Sequence, residues 1–403
     1  MTYYKTNSLS EYLNTTTIPR IGYMKNIPET ACSLLWTHIA LDMEGDVMPC
    51  CRFHVDATER QDPRRVPNMG GWRKPGIPNI DNGLHKAFTG PEFSEMREKM
   101  LAGKKLEGCT KCWDIEESGS MSPRNFWNKR FKHLIGEEPK LKFLEIGFST
   151  HCNLACRMCS PAYSSKWHNI AFPGTSVPVG FKDYIKKLGT ADLSGVETIK
   201  FVGGEPMMDK NHDAFILSLE EFGIDLSKLQ LNYHTNATIR ASKKVLEVWK
   251  RVKKVVLCLS IDGVGEVNEY QRPGHKWADL DANVDWYANL GMKNIVMECH
   301  TVVTRFNIFH LKELTEWQAT KQFRDTTFDP TNFPVYLSIR QFDAEKKQRA
   351  VNLLDEVFGD ADISNHMRKK LQQEPVDDED DEYMIETMKP LDEYFNQDTR
   401  SKL

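Results

Sequence analysis

The sequence lacks any stretch near the roughly 18 to 20 consecutive apolar residues that a membrane-spanning helix needs, so no membrane partner is expected. It lacks a basic excess as well: 53 Lys and Arg stand against 57 Asp and Glu, a net charge of -4, which argues against a nucleic-acid partner. No internal repeat, P-loop or zinc-protease signature is present, removing solenoids and those two enzyme classes. The opening segment, MTYYKTNSLSEYLNTTTIPR, has no apolar run of the kind a secretory signal requires, and a cytoplasmic setting is expected. What remains is a chain of 403 residues, 40% hydrophobic and 27% charged, ordinary for a globular protein and long enough for more than one core.

Cysteine is what the chain does have, ten in all. In a reducing compartment clustered cysteines are metal ligands or catalysts rather than bridges. Cys152, Cys156 and Cys159 fall within "STHCNLACRMCSPAYSS", residues 149 to 165. Three thiols are one short of a tetrahedral zinc site, odd for disulfides and too many for a single nucleophile. Cys32, Cys50, Cys51, Cys109 and Cys112 precede them. Cys258 and Cys299 stand alone in apolar runs and read as core residues, as buried free cysteines commonly are.

From about residue 140, short apolar runs alternate with amphipathic stretches. Strands are expected at 141 to 148, 197 to 202, 229 to 234, 254 to 261, 293 to 303 and 333 to 339, with helical spacing in "NHDAFILSLEEF", "SKKVLEVWKRV", "LDANVDWYANLG" and "NIFHLKELTEWQA". Six such units imply an α/β fold with a parallel sheet, whose ligands gather at the carboxyl ends of the strands. The cysteine triplet comes directly after the first strand. Gly203, Gly204, Glu205 and Pro206 follow the second, Thr235 and Asn236 the third, and Ser260 and Asp262 the fourth, with Arg272 further on in "YQRPG". Taken singly, each of these is also what a strand-ending turn or cap would use.

Three thiolates suit a [4Fe-4S] cube with one iron left open, and also a zinc site with a remote fourth ligand. Here the sequence resembles the radical S-adenosylmethionine superfamily, whose C-x3-C-x2-C signature is matched by Cys152, Cys156 and Cys159. The resemblance covers residues 140 to 340 and implies a partial (β/α)6 TIM-like barrel. It also implies that the open iron chelates S-adenosylmethionine, whose reductive cleavage gives a 5'-deoxyadenosyl radical that removes hydrogen from a substrate. It places Gly203 to Pro206 at the methionyl amino group, Ser260 and Asp262 near the ribose, and Arg272 near the carboxylate. Thr235 and Asn236 complete the expected cofactor-binding set.

Residues 1 to 139 follow another pattern. "HIALDMEGDVMPCC" predicts a hairpin turning at Glu44-Gly45-Asp46, and "PEFSEMREKMLAG" predicts a helix started by Pro91, with Phe93, Met96, Met100 and Leu101 on one face, ending at Gly103. Cys32, Cys50, Cys109 and Cys112 make a four-sulfur cage that suits structural zinc as well as an iron-sulfur cluster. The C-x(9 to 15)-G-x4-C element with a distant C-x2-C resembles the auxiliary-cluster modules called twitch and SPASM, and four ligands fit the single-cluster form. In the best-known members the module follows the barrel, whereas here it precedes it, and Cys51 could replace Cys50.

The stretch between Cys51 and Pro91 reads as an extended loop carrying Arg64, Arg65, Arg73 and Lys74. Residues 341 to 403 read as a helical extension with a solvated acidic run at 374 to 382, and with Leu391, Tyr394 and Phe395 spaced to pack back on the barrel. The expected activity is hydrogen abstraction from a peptide or protein, with flavodoxin or ferredoxin as reductant. The alternatives are a non-catalytic iron-sulfur or zinc protein, or a radical enzyme acting on a small molecule or a nucleic acid.

Overall fold

The computed structural model describes residues 27–53, 76–117, 121–177, 184–188, 191–376 and 381–402. Eight strands are present among the described residues: β1 (His38–Leu41), β2 (Val47–Met48), β3 (Phe143–Gly147), β4 (Thr198–Val202), β5 (Gln230–Thr235), β6 (Lys254–Ser260), β7 (Ile295–Val303) and β8 (Phe323–Pro330). They form one sheet in the order β2-β1-β3-β4-β5-β6-β7-β8. Strands β3 to β8 are mutually parallel with intervening helices, the six-unit barrel expected from the alternation of patterns. The N-terminal hairpin is continuous with it: β1 lies parallel to β3, Ile39 opposite Leu144, and β2 closes the edge antiparallel.

The strand sequences explain how the sheet is used. A closed parallel barrel buries both faces of each strand and reads as continuous apolar sequence. Here β5 alternates, with Leu231, Tyr233 and Thr235 buried and Gln230, Asn232 and His234 half-buried, and β7 repeats the pattern over nine residues. The apolar set packs outward under the helices, with Leu144, Ile146, Phe201, Tyr233, Leu257, Leu259 and Cys299 in one core. The other face lines an open lumen with Glu145, Lys200, His234, Cys258 and His300. Because side chains alternate along a strand, residues at a strand's carboxyl end share the lumen face with those two positions before it.

Several elements differ from expectation. Residues 333 to 339 form short 3-10 turns, Val335–Leu337 and Ile339–Gln341, and the sixth parallel strand is β8 instead. The run is apolar because Val335, Tyr336, Leu337 and Ile339 are buried, and Pro334 has no N–H to give to a ladder. β8 escapes the apolar pattern because it is an edge strand, where Arg324, Asp325 and Asp329 are tolerated. The helix Pro91–Leu101 forms as expected and Phe93 and Met100 are buried, but Leu101 is exposed. Within the stretch expected to be an extended loop, Leu84–Thr89 is a helix. Arg64, Arg65, Arg73 and Lys74, and 377 to 380 of the acidic run, lie outside the described residues. The run's end is not simply solvated, since Asp381 pairs with Arg305 at 2.5 Å. No helix of the described residues is long and apolar enough to cross a membrane.

Candidate functional site

The loop after β3 carries the cysteine triplet and is tied down by backbone and side-chain bonds that do not use the sulfurs. Ala155 N–H donates to Pro273 O at 3.0 Å and Arg157 N–H to Gln271 O at 2.9 Å, joining the loop to the segment after β6. Ser164 Oγ donates to Leu154 O at 2.6 Å, and Trp167 Nε1 to Cys156 O at 3.1 Å. Cys156 is buried and Cys152 and Cys159 are half-buried. Burial pushes the Cys159 thiol up to about 12 and raises Cys152 and Cys156 as well. Buried thiols held neutral in this way become thiolates only beside a cation, so the donor set fits a cationic metal cluster. Ser160 Oγ, next to Cys159, is buried without a hydrogen-bond partner among the described residues.

The residues expected to hold a cofactor converge on this loop. Gly203 has φ +107, and a Cβ on Gly204 would overlap the His151 carbonyl. The glycines thus let the second loop approach the backbone of the first, with Gly204 N–H on Ser149 O at 2.9 Å and Glu205 N–H on His151 O at 2.7 Å. Pro206 begins the 3-10 turn Pro206–Met208. Glu205 is buried and accepts from Thr235 Oγ1 at 2.7 Å, Asn236 N–H at 2.7 Å and Met207 N–H at 3.1 Å. Asn236 Nδ2 reaches Asn153 Oδ1 at 3.1 Å and stands 3.9 Å from Cys152 Sγ.

Arg272 Nη1 lies 3.9 Å from Cys156 Sγ, while its Nε donates to Asp262 Oδ2 at 2.6 Å. Asp262 Oδ1 accepts from Val302 N–H at 2.8 Å, so this carboxylate is turned into the protein and committed to Arg272. Ser260 remains half-buried at the end of β6.

Cys32, Cys50, Cys109 and Cys112 are brought together from four separate elements: the segment before the helix Leu34–Thr37, the end of the hairpin, the turn Glu107–Cys109 and the helix Thr110–Glu117. Burial pushes the Cys32 and Cys109 thiols up to about 12, reinforced in each by neighbouring cysteines. Cys50 is raised by burial and by Cys32, whereas Cys51 has Glu145 and Lys200 as charged neighbours and sits toward the lumen. Among the described residues, neither cysteine set brings three sulfurs within 4.8 Å of one another.

Residues 146–317 match the model of the radical SAM superfamily, and residues 32–113 match that of SPASM, an iron-sulfur cluster-binding domain. The chain thus carries a radical SAM domain preceded by a SPASM domain. An uncharacterized protein of Methanocaldococcus jannaschii is 27% identical over 191 residues, 47% of this chain and 62% of the relative. The GTP 3',8-cyclase of Nautilia profundicola is 26% identical over 89 residues, 22% of the chain and 26% of the relative. The structure of Streptococcus suis SuiB bound to S-adenosylmethionine aligns with a TM-score of 0.36 at 16% identity, covering 66% of this chain and 59% of that one. The chain thus spans less than two thirds of each of these three proteins.

Two features of this chain escape a reading of its motifs. Arg157, between two of the cysteines, is fully buried and binds the C-terminal segment through Asp392 Oδ1 at 2.7 Å, Gln397 Oε1 at 2.7 Å and Thr399 Oγ1 at 3.1 Å. A lone arginine in a small-residue loop gives little sign of a partner more than two hundred residues away. Cys258, expected in the core, instead faces the lumen beside His234 and His300, while Cys299 is buried in the core as expected. Period two contained the signal: Cys258 lies two residues before Ser260 and shares its face.

Proposed function

We propose that the protein is a radical enzyme in which Cys152, Cys156 and Cys159 hold a [4Fe-4S] cluster, with S-adenosylmethionine beside it and the substrate in the lumen. When bound, the cluster and cofactor supply a 5'-deoxyadenosyl radical able to take a hydrogen atom from the substrate. One observation carries the reading: loops from three further strand ends, bearing Glu205, Asn236 and Arg272, pack against the cysteine loop. A solitary metal-binding loop in an electron carrier would not need that convergence.

On this reading each residue has a physical task. An ionised carboxylate offers about four acceptor positions. Glu205 uses three internally, leaving one for an ammonium. Arg272 supplies a fixed positive charge next to Cys156, and the part of Asp262 is to hold that guanidinium in place rather than to meet a ribose. Ser260 stays available on the lumen side. Gly203 and Gly204 set the distance between the two loops, and Pro206, Thr235 and Asn236 fix the Glu205 carboxylate.

Burial pushes the Glu205 carboxyl from 4.5 up to about 7, against hydrogen bonds from Asn236, Thr235 and Met207 that favour its ionised form. Without ligand, this group stabilises the fold below its ordinary range and loses that contribution as pH rises toward 7. Cofactor binding runs the other way, because the ammonium pairs with the ionised carboxylate. S-adenosylmethionine affinity should therefore fall as pH drops below about 7, by up to about tenfold per unit. Glu205→Gln should bind more weakly above pH 7 and lose most of this slope. Equilibrium binding at several pH values checks both, and an unchanged slope in the variant removes Glu205 from the ammonium site.

Cys32, Cys50, Cys109 and Cys112 are assigned to an auxiliary [4Fe-4S] cluster. Zinc could use the same four sulfurs, and the match of residues 32–113 to an iron-sulfur cluster-binding domain is what supports the cluster. The intact protein should then carry about eight irons, and the Cys109→Ala/Cys112→Ala variant about four, with 5'-deoxyadenosine release spared and a net two-electron oxidation of substrate suppressed. One zinc with about four irons in the intact protein would make the module structural.

The open sheet, unpaired between β2 and β8, supports a peptide or protein substrate reaching the lumen. A flavodoxin or ferredoxin reductant and a cytoplasmic location suit a chain rich in unbridged thiols. The decisive experiment is anaerobic reconstitution with dithionite and S-adenosylmethionine, followed by detection of 5'-deoxyadenosine and mass spectrometry of coexpressed candidate peptides. A reconstituted cluster that releases none would leave an iron-sulfur protein without this activity.

A further inference from the structure

Three lumen residues have no part in the reading above: His234 on β5, Cys258 on β6 and His300 on β7. His234 and Cys258 are register partners on neighbouring strands, and His300, opposite Ser260, stands one step further along the same face. One donor atom from each lies within 4.8 Å of the other two. We propose that His234, Cys258 and His300 form a mononuclear site for a zinc-class divalent ion, with its fourth position open to the lumen.

The second layer of the site is already in place. A histidine that binds metal through one nitrogen commonly donates from the other to a carboxylate. His300 Nε2 lies 3.0 Å from Asp329 Oδ2 on β8, which leaves Nδ1 for an ion. His234 and Cys258 make no hydrogen bond among the described residues, although both are half-buried. An imidazole and a thiol side by side without hydrogen-bond partners are what a cation would join. Donors around tetrahedral zinc stand about 3.3 to 3.8 Å apart. Closing from 4.8 Å to that range is a side-chain adjustment, since the backbone register already sets the three Cα positions.

The donor set also selects among metals. Two imidazoles and one thiolate are too soft for magnesium or calcium. The same trio can form a copper electron-transfer site when a thioether completes it axially. Met297, the nearest candidate in the strand, is buried on the opposite face, and the lumen position beside Cys258 is Glu298. That leaves zinc as the fitting class. Local charge tolerates it, because Lys200 is paired with Glu145 at 3.4 Å and Asp329 adds a negative charge. On binding, Cys258 gives its proton to solvent and forms the metal-sulfur bond, so uptake should release about one proton per ion.

The ion site stands on this geometry alone. Its use, anchoring a carboxylate, imidazole or thiolate of the substrate at the open position, rests on the proposed radical function. The two are tested separately on one set of samples. Anaerobically reconstituted holoprotein is dialysed against Zn2+, zinc and iron per chain are counted, and the zinc shell is read by X-ray absorption. One zinc in a shell with one sulfur near 2.3 Å and two imidazole nitrogens near 2.0 to 2.1 Å, at about those distances, is expected. Cys258→Ala and the double variant His234→Ala/His300→Ala should each lose that zinc and keep their iron, the iron showing that the fold is intact. Should Cys258→Ala lose iron, Cys258→Ser decides in its place through loss of the sulfur from the shell. A four-sulfur shell, zinc unchanged across the variants, or no zinc in the wild type overturns the site. Release of 5'-deoxyadenosine from the same samples reports on the radical reading independently.

Discussion

Replacing Cys152, Cys156 and Cys159 together by alanine is expected to bring 5'-deoxyadenosine release down to background and to take the iron content from about eight per chain to about four. The effect should be complete rather than partial because no other thiols can take over. Cys32, Cys50, Cys109 and Cys112 lie near one another in the N-terminal module, Cys51 stands beside Glu145 and Lys200, Cys299 is sealed in the core, and Cys258 lies in the lumen with two histidines. The variant should still fold. The bonds that shape the loop come from Ala155, Arg157, Ser164 and Trp167, and the sulfurs contribute only long contacts, at 3.9 Å from Asn236 and Arg272 and at 3.7 Å from Cys159 to its neighbour Ser160 O. Circular dichroism and the four remaining irons would report an intact molecule. Undiminished release by such a protein would remove the triplet from the chemistry.

Much of the barrel was legible because strand and helix periods differ. "LQLNYH" and "KVVLCLSI" announce strands by alternation, and the cysteine, GGEP and Thr235-Asn236 elements stand where parallel strands end. What stayed hidden depends on partners distant in the chain. "FRDTTFDP" is a strand only because β7 templates it at the sheet edge, and "FPVYLSI" is apolar because it is buried in turns. The choice between Cys50 and Cys51 was open in the sequence, since adjacent residues of a hairpin end have equal claim to a cage until the fold turns one toward Cys32 and the other toward Glu145. Asp262 was equally ambiguous. A polar residue after a strand can face a ligand or the protein, and here Asp262 is buried and paired with Arg272.

The same long-range dependence sets the second large effect, expected at Arg157. Its guanidinium sits 3.9 Å over the Tyr270 ring and donates to four oxygens, three of them on the C-terminal segment. That segment, the helix Asp381–Phe395 and the turn after it, buries Met384, Met388 and Leu391 against Ala155 and Trp167 of the cysteine loop and its flank. Arg157 therefore fastens the loop that presents Cys156 and Cys159 to the end of the chain. Removing one member of a buried ion pair costs about 3 to 5 kcal/mol, because the other is left without its charge partner. Arg157→Ala should lose stability on that scale, and Asp392→Ala should lose nearly as much, since Asp392 also accepts from Thr399 N–H at 2.7 Å. The double variant should cost clearly less than the sum, as expected for two groups that act as one unit. Arg157→Lys should rescue little, because an ammonium cannot meet oxygens arranged for a planar fork. Denaturant unfolding gives the energies, and hydrogen exchange over 381–402 gives the location. With the strap released, cluster iron should be retained poorly during reconstitution even though every cysteine is present. If Arg157→Ala kept its iron and left exchange at the C-terminal helix unchanged, the apolar contacts of Met384, Met388 and Leu391 would hold the loop without it.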